Sequence, residues 1–299
     1  FFIPSNVVFI PLVNTILVLI LASAFIPLRG RVQKVVNSIF YGGWYDYPQY
    51  YDLAFRSETK EEADFVEAAA AKYCGSPPRR ILEPACGTGR LLTELAARGY
   101  QLTGLDLSAP ALAYLRRRLQ RRGLAAELIR ADMTDYQVDE PVDLAVCPLN
   151  SFRHLLTEDA ARRHLQCIAA SLRPGGLYVL GLHLLPPDAD LDCTERWTER
   201  HGRTQVTVTF RVLSSSRRKR IENIRVSVLV RRPSGEFRFR DEFPLRIYNA
   251  AQMRRLLRSV PSLELRDVFD FWYDIDEPLR LDDEISDTVL VLQRTDSDA

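Results

Sequence analysis

From Glu58 onward, short apolar runs alternate with amphipathic stretches. Apolar residues at helical spacing in the alanine-rich segment Glu58 to Tyr73 predict a helix. A strand at Ile81 and Leu82, a helix over Leu91 to Arg98, a strand over Gln101 to Leu105 and a helix over Pro110 to Arg122 follow. The series continues with strands over Ala126 to Ile129 and Val142 to Cys147, a helix over Glu158 to Leu172 and a strand over Leu177 to Leu182. Such alternation predicts an α/β fold, a parallel sheet with crossover helices on its faces. Gly99 and Gly123 sit where C-terminal caps belong, Ser108 and Thr157 where N-caps belong, and Pro174, Gly175 and Gly176 read as a turn.

Past Leu185 the hydrophobic period changes to two. Val206, Val208, Phe210 and Val212, then Val226, Val228 and Val230, then Phe237 and Phe239 alternate with polar residues. This predicts an antiparallel meander of three strands with one apolar face, inserted at about residues 204–248. A helix over Asn249 to Arg258 and strands over Leu263 to Trp272 and Thr288 to Gln293 complete the series.

Composition narrows the class. With 46% hydrophobic and 26% charged residues, 299 residues make one large globular domain or two small ones, and disorder, collagen and coiled coil are excluded. The net charge of +1 gives no global field toward nucleic acid or anionic membrane. Charge is divided along the chain, however: residues 195–258 carry 17 basic and 6 acidic side chains, and residues 262–299 carry 3 basic and 12 acidic. The basic stretch reads either as solvated outer strand faces or as a wall for an anionic substrate. Five cysteines with no C-x-x-C pair and four histidines without metal-ligand spacing suggest neither a disulfide framework nor a metal site. A reduced, cytoplasmic, metal-free protein is the expectation.

Residues 1–28 contain no charge and precede Arg29, Arg31 and Lys34, a length that could span a bilayer with its cationic flank in the cytoplasm. Pro4, Pro11 and Pro27 interrupt it. A membrane anchor, translated upstream sequence and a cleaved signal peptide are the three readings. Residues 1–40 are therefore set apart from a domain over 41–299, and any membrane contact is expected through residues 1–28 alone.

Candidate chemistry centres on RRILEPACGTGR, Arg79 to Arg90, where an apolar strand runs through small residues into a helix and lets a ligand approach backbone at the helix N-terminus. In LTGLDLS, Asp106 ends the next strand, where a carboxylate can accept from ribose hydroxyls. ADMTDY follows the third strand and VDLAVCPLNSFRHL the fourth. Asn150 can donate and accept hydrogen bonds near a substrate, and His154 or Tyr248 could take a proton. Arg246 could clamp a carboxylate or phosphate.

Together EPACGTGR, GLDLS, ADM, CPLNSFRHL and LRPGG, spanning about residues 79–182, resemble the ordered motif series of class I S-adenosylmethionine-dependent methyltransferases. NSFxHL and YDLAF resemble their small-molecule branch, particularly glycine N-methyltransferase-like and sugar or amine N-methyltransferases. The resemblance implies a Rossmann-like sheet of seven strands, the last antiparallel, with the β insertion as a substrate lid. It implies that Glu83 holds the methionyl end of S-adenosyl-L-methionine or its local network, that Ala85, Gly87 and Gly89 make room for it, and that Asp106 binds ribose. Asp132 would reach the adenine amino group, Met133 would flank the ring, and Leu107, Pro148 and Leu149 would complete the cofactor set. Tyr51 would lie over the cofactor, with Tyr45 and Trp44 lesser candidates, and Arg246 and Tyr248 would sit on a late strand above the active site. Ala85 and Glu83 stand where the family more often has glycine and aspartate.

The implied reaction is N- or O-methylation of a small-molecule acceptor. Two other classes compete. A nucleic-acid methyltransferase should carry an NPPY-like motif after the fourth strand, where this chain has CPLN, although the basic run Arg217 to Arg220 speaks for it. A catalytically silent cofactor-binding module would keep Asp106 and the glycines without a productive acceptor pocket.

Overall fold

A computed structural model describes residues 43–295, so the readings made for residues 1–40 lie outside the described residues. Among the described residues no helix is long and apolar enough to cross a membrane. Helices α1 (Pro48–Phe55) and α2 (Thr59–Tyr73) lead into β1 (Arg80–Pro84), α3 (Arg90–Ala97), β2 (Gln101–Asp106), α4 (Ala109–Arg121), β3 (Glu127–Arg130), β4 (Val142–Cys147), α5 (Glu158–Ser171) and β5 (Leu172–His183). Strands β6 (Thr194–His201), β7 (Thr204–Ser216), β8 (Ile221–Arg232) and β9 (Gly235–Arg246) follow, then α6 (Ala250–Arg258), β10 (Leu263–Phe269) and β11 (Asp287–Arg294).

The main sheet has seven strands in the order β10-β11-β5-β4-β1-β2-β3, and β11 runs antiparallel to both of its neighbours. Strand order reverses between β1 and β4, which opens a crevice at the carboxyl ends of those strands, the ordinary ligand position in such sheets. The helices bury Leu91, Leu92 and Leu95 of α3 and Leu165 and Ile168 of α5 completely, each side chain contributing roughly 1.5 to 3 kcal/mol. Predicted caps form as read: Ser108 Oγ accepts from the Ala111 amide at 3.2 Å and Thr157 Oγ1 from the Ala160 amide at 3.1 Å.

One reading changes and another is refined. The antiparallel sheet has four strands, because Thr194–His201 pairs with β7 along its whole length. That strand hides from a hydrophobic pattern since its inner-face positions are Glu195, Trp197 and Glu199, two of them charged. Pro174, Gly175 and Gly176 fall inside the span of β5, yet the turn persists as a bulge there: pairing with β4 passes from Leu172 to Leu177, with Gly175 at φ 73°. The register also decides between the two readings of the basic stretch. Arg196, Arg211, Arg225, Arg238 and Arg240 alternate with the residues lining the inner face, so they form the outer face, where Arg225 meets Glu242 at 2.8 Å. They do not wall a substrate cavity.

Two contacts place the N-terminal helix and the loop after β4. Asp52 of α1 is fully buried and takes ion pairs from Arg56 at 2.5 Å and from Arg118 of α4, which fastens α1 to the Rossmann half. Gly181 of β5 lets the chain after β4 lie against the sheet, for a Cβ there would come within 1.9 Å of the Pro148 carbonyl oxygen. A Gly181→Ala substitution should therefore cost about 1 to 3 kcal/mol through forced backbone displacement. Urea denaturation measures it, and a midpoint equal to that of the parent would contradict this packing.

Candidate active site

The turn after β1 places Ala85, Gly87 and Gly89 in left-handed backbone with φ of 54°, 52° and 65°. Ala85 holds this conformation despite its Cβ, a position glycine would occupy without strain. Asp106, at the end of β2, joins this turn to the next. Its Oδ2 accepts from the Gly87 amide at 2.8 Å and its Oδ1 from the Ser108 amide at 2.7 Å. Burial pushes the Asp106 carboxyl above its ordinary value, and the amides of Ser108, Gly87 and Leu107 pull it back.

A cavity of about 380 Å³ opens on this bridge. Ala85, Gly87, Thr88, Asp106 and Ser108 form its floor, and Leu107, Ala131 and Met133 form an apolar side. Leu107 is 63% exposed, a large hydrophobic side chain at the surface that a flat ring could cover. Met133 is fixed from behind, because its carbonyl accepts from His164 Nδ1 at 2.9 Å while His164 Nε2 faces the Tyr178 hydroxyl at 2.8 Å. Burial holds His164 down at about 4, so it stays neutral and structural.

A second cavity of about 490 Å³ lies between the loop after β4 and the inner face of the four-stranded sheet. Tyr45, Tyr51, Ser151 and His154 line both cavities and mark where they meet. The Tyr45 hydroxyl lies 3.0 Å from His154 Nε2, and the His154 ring stacks on Phe243 of β9 with centroids 5.2 Å apart. Burial, reinforced by Arg153, lowers the His154 pKa below 6.5. Burial raises Tyr51 to about 12, which keeps it a neutral phenol.

Of the residues read from the sequence, Tyr51, Ala85, Gly87, Asp106, Leu107, Met133 and His154 line the first cavity, and Leu149, read with the cofactor set, and Asn150 line the second. Asn150 adopts left-handed backbone with φ 57°, and its Oδ1 accepts from the His183 amide at 3.1 Å, so that oxygen anchors the loop to β5. Asp132 is exposed between the two lining residues Ala131 and Met133, its Oδ1 taken by the Thr134 amide at 2.8 Å. Pro148 is buried behind the wall.

Three residues do other work. A Cβ on Gly89 would come within 2.2 Å of Leu115, so that glycine lets α3 and α4 approach and does not make room for a ligand. Arg246 donates to the Leu156 carbonyl at 2.6 Å and pairs with Glu158 at 2.8 Å, away from both cavities. Tyr248 is fully buried in the core against Phe152, with the guanidinium of Arg220 4.9 Å from its ring. Neither lines either cavity; Arg246 fastens β9 to α5, and Tyr248 packs in the core beside the loop after β4. Tyr45 lines both cavities instead, and the aromatic wall from β6 to β9 carried no signal of site function, because its alternation is that of any half-buried strand.

Glu83 lies beneath the turn and is 6% exposed. Burial raises its carboxyl to about 8, with Arg90 opposing and Glu62 adding to the shift. Among the described residues, Glu83 Oε2 and Thr88 Oγ1 are buried without a hydrogen-bond partner. A carboxylate bridge for hydroxyls, an apolar side for a flat ring and orphaned acceptors beneath the turn suit a nucleoside carrying a cationic amino-acid tail.

Fold and cavity together define a Rossmann-like nucleoside-binding protein of the methyltransferase type. Residues 81–176 match the family model described as methyltransferase domain. A dTDP-3-amino-3,6-dideoxy-alpha-D-glucopyranose N,N-dimethyltransferase of Streptomyces fradiae is 31% identical over 185 residues, 61% of this chain and 70% of that protein. A relative from Geobacillus sp. (strain WCH70) is 29% identical over 119 residues, 40% of this chain and 48%, about half, of its own length. A crystal structure of an S-adenosylmethionine-dependent methyltransferase from Clostridium acetobutylicum ATCC 824 superposes with a TM-score of 0.68 at 18% identity, over 82% of this chain and 96% of that one, a likeness of fold. The chain belongs to the class I S-adenosylmethionine-dependent methyltransferases.

The buried carboxyl of Glu83 gives a prediction with a sign. At pH 7 a group raised to about 8 holds its proton in the free protein. A cation brought beside it favours the carboxylate, so cofactor binding should release a proton to the buffer. Calorimetry in buffers of different ionisation enthalpy reads this release, and Glu83→Gln should abolish it. In the same experiment Asp106→Ala should weaken binding by about 1 to 3 kcal/mol, the scale for hydrogen bonds to a charged group. Unchanged affinity would remove Asp106 from the site.

Proposed function

We propose that the chain transfers the methyl group of S-adenosylmethionine to the amine nitrogen of a small molecule. The observation that carries this reading is the junction of the two cavities at Tyr45, Tyr51, Ser151 and His154. The first cavity is the cofactor's and the second the acceptor's. The aminosugar N,N-dimethyltransferase named among the relatives supports an amine acceptor.

S-adenosylmethionine supplies a methyl already activated on a sulfonium, so the protein's work is alignment, exclusion of water and removal of a proton. The nitrogen lone pair forms the new bond to carbon as the sulfur–carbon bond breaks and its electron pair stays on sulfur, leaving S-adenosylhomocysteine. The proton on nitrogen goes to His154, directly or through the Tyr45 hydroxyl 3.0 Å from Nε2. A pKa below 6.5 leaves the imidazole neutral at pH 7 and ready to accept. Tyr51, from the α1 helix held by Asp52, closes the junction from above, and Asn150 holds the loop that presents Ser151 and His154.

In this scheme kcat rises with pH through the lowered pKa of His154, below 6.5, and is flat at neutral pH. His154→Ala should reduce kcat by roughly 100-fold, within the range for general acid–base groups, and lose that limb. S-adenosylhomocysteine release over a panel of amines, aminosugars and phenols identifies the acceptor. A variant that kept the same rate and the same limb would exclude His154 from proton transfer.

A further inference from the structure

The charge of the second cavity narrows the acceptor further, on the reading that this cavity receives it. Among its described lining residues the one arginine or lysine is Arg153. It is committed: its side chain is 7% exposed, its NH2 pairs with Glu222 at 2.5 Å and its Nε donates to the Arg246 carbonyl at 2.8 Å. His183 is likewise held by Asp287, whose Oδ1 lies 2.8 Å from Nδ1.

Two further lining carboxylates, Asp190 and Glu195, are exposed and have no cationic partner among the described residues. Asp190 accepts from the Asp192 amide at 3.0 Å, and Glu195 takes only a weak hydrogen bond from Cys193 Sγ at 3.7 Å. Glu195 stands directly across from Phe210 in the strand register and shares its strand face with Trp197. The Trp197 indole is fixed, for its Nε1 donates to the Ala54 carbonyl at 3.0 Å, and its ring meets Phe55 with centroids 5.6 Å apart. Fixed aromatic faces beside unneutralised carboxylates attract organic cations, and the same carboxylates repel a phosphate that finds no spare guanidinium.

We infer that the acceptor is a phosphate-free organic amine, bound as its cation between Glu195 and the Trp197–Phe55–Phe210 wall, and not a nucleotide-linked aminosugar. The ammonium form is recognised on entry. The nitrogen then moves to the His154 end, where its proton is lost before methyl transfer. Relatives named for dTDP-linked substrates must meet two phosphates, and this cavity opposes them.

The test uses the full chain saturated with S-adenosylhomocysteine, titrated calorimetrically with phenyltrimethylammonium, a cation that cannot accept a methyl, and separately with thymidine diphosphate. The cation should bind and the diphosphate should not. Glu195→Gln should weaken cation binding roughly threefold, the scale of a partly exposed charge pair. Trp197→Leu, which keeps apolar volume without the aromatic face, should weaken it roughly fivefold. Binding of the diphosphate in preference to the cation overturns the inference while leaving methyl transfer to an amine intact. So does cation binding that neither substitution alters, or no binding of either probe. Failure of S-adenosylhomocysteine itself to bind overturns the underlying methyl-transfer reading instead, so the two failures are told apart in one instrument.

Discussion

One carboxylate organises the cofactor end of this protein. Asp106 takes the Gly87 amide on one oxygen and the Ser108 amide on the other, tying the two strand-to-helix turns into a single surface. Both amides belong to chain that must bend sharply, and each would lose its partner if the carboxylate moved. The cavity floor is therefore built by the same hydrogen bonds that leave the remaining lone pairs of Asp106 available to hydroxyls. Neighbouring β1 and β2, paired in parallel from Arg80 with Gln101 to Pro84 with Leu105, hold the two turns at fixed separation.

The acceptor end is organised differently. It depends on two elements far apart in the sequence, α1 and the β6–β9 sheet. Asp52 secures α1 to α4, and Trp197 of β6 reaches back to the Ala54 carbonyl of α1, so helix and sheet support each other around Tyr51 and Tyr45. His154 joins the ends by stacking on Phe243 while its Nε2 faces Tyr45. In the proposed reaction, the imidazole at the junction, the carboxylates farther out and the aromatic walls between them would form the path of a protonated amine, attracted first and then deprotonated.

Burial of charge separates holding residues from reacting ones. Arg90 and Glu62 form an ion pair at 2.5 Å with both side chains almost wholly inside, and Glu158 draws together Arg220 and Arg246. Such pairs are matched, and removing one partner would strand the other. Glu83 differs because it enters no ion pair within 4 Å among the described residues, while its Oε2 lies buried beneath the turn after β1 without a hydrogen-bond partner. Arg246 and Tyr248 look chemically suited to a site in the linear chain, yet Arg246 is tied to Glu158 and Tyr248 is packed within the core.

The α/β class, the helix caps and the turn with Asp106 were readable from the chain because each is local: hydrophobic period, a cap or a small-residue bend expresses itself within a few positions, whereas the seven-stranded sheet was implied by the family resemblance. The motif order then tied Gly87, Asp106 and Met133 to one nucleoside cavity. Only tertiary structure could show that Gly89 makes room for Leu115, that Arg246 is spent on Glu158, and that a fourth strand with charged inner-face positions completes the sheet. Those outcomes depend on partners tens of residues away. A side chain's chemistry is written at its own position, whereas its availability is set by whatever the fold packs against it.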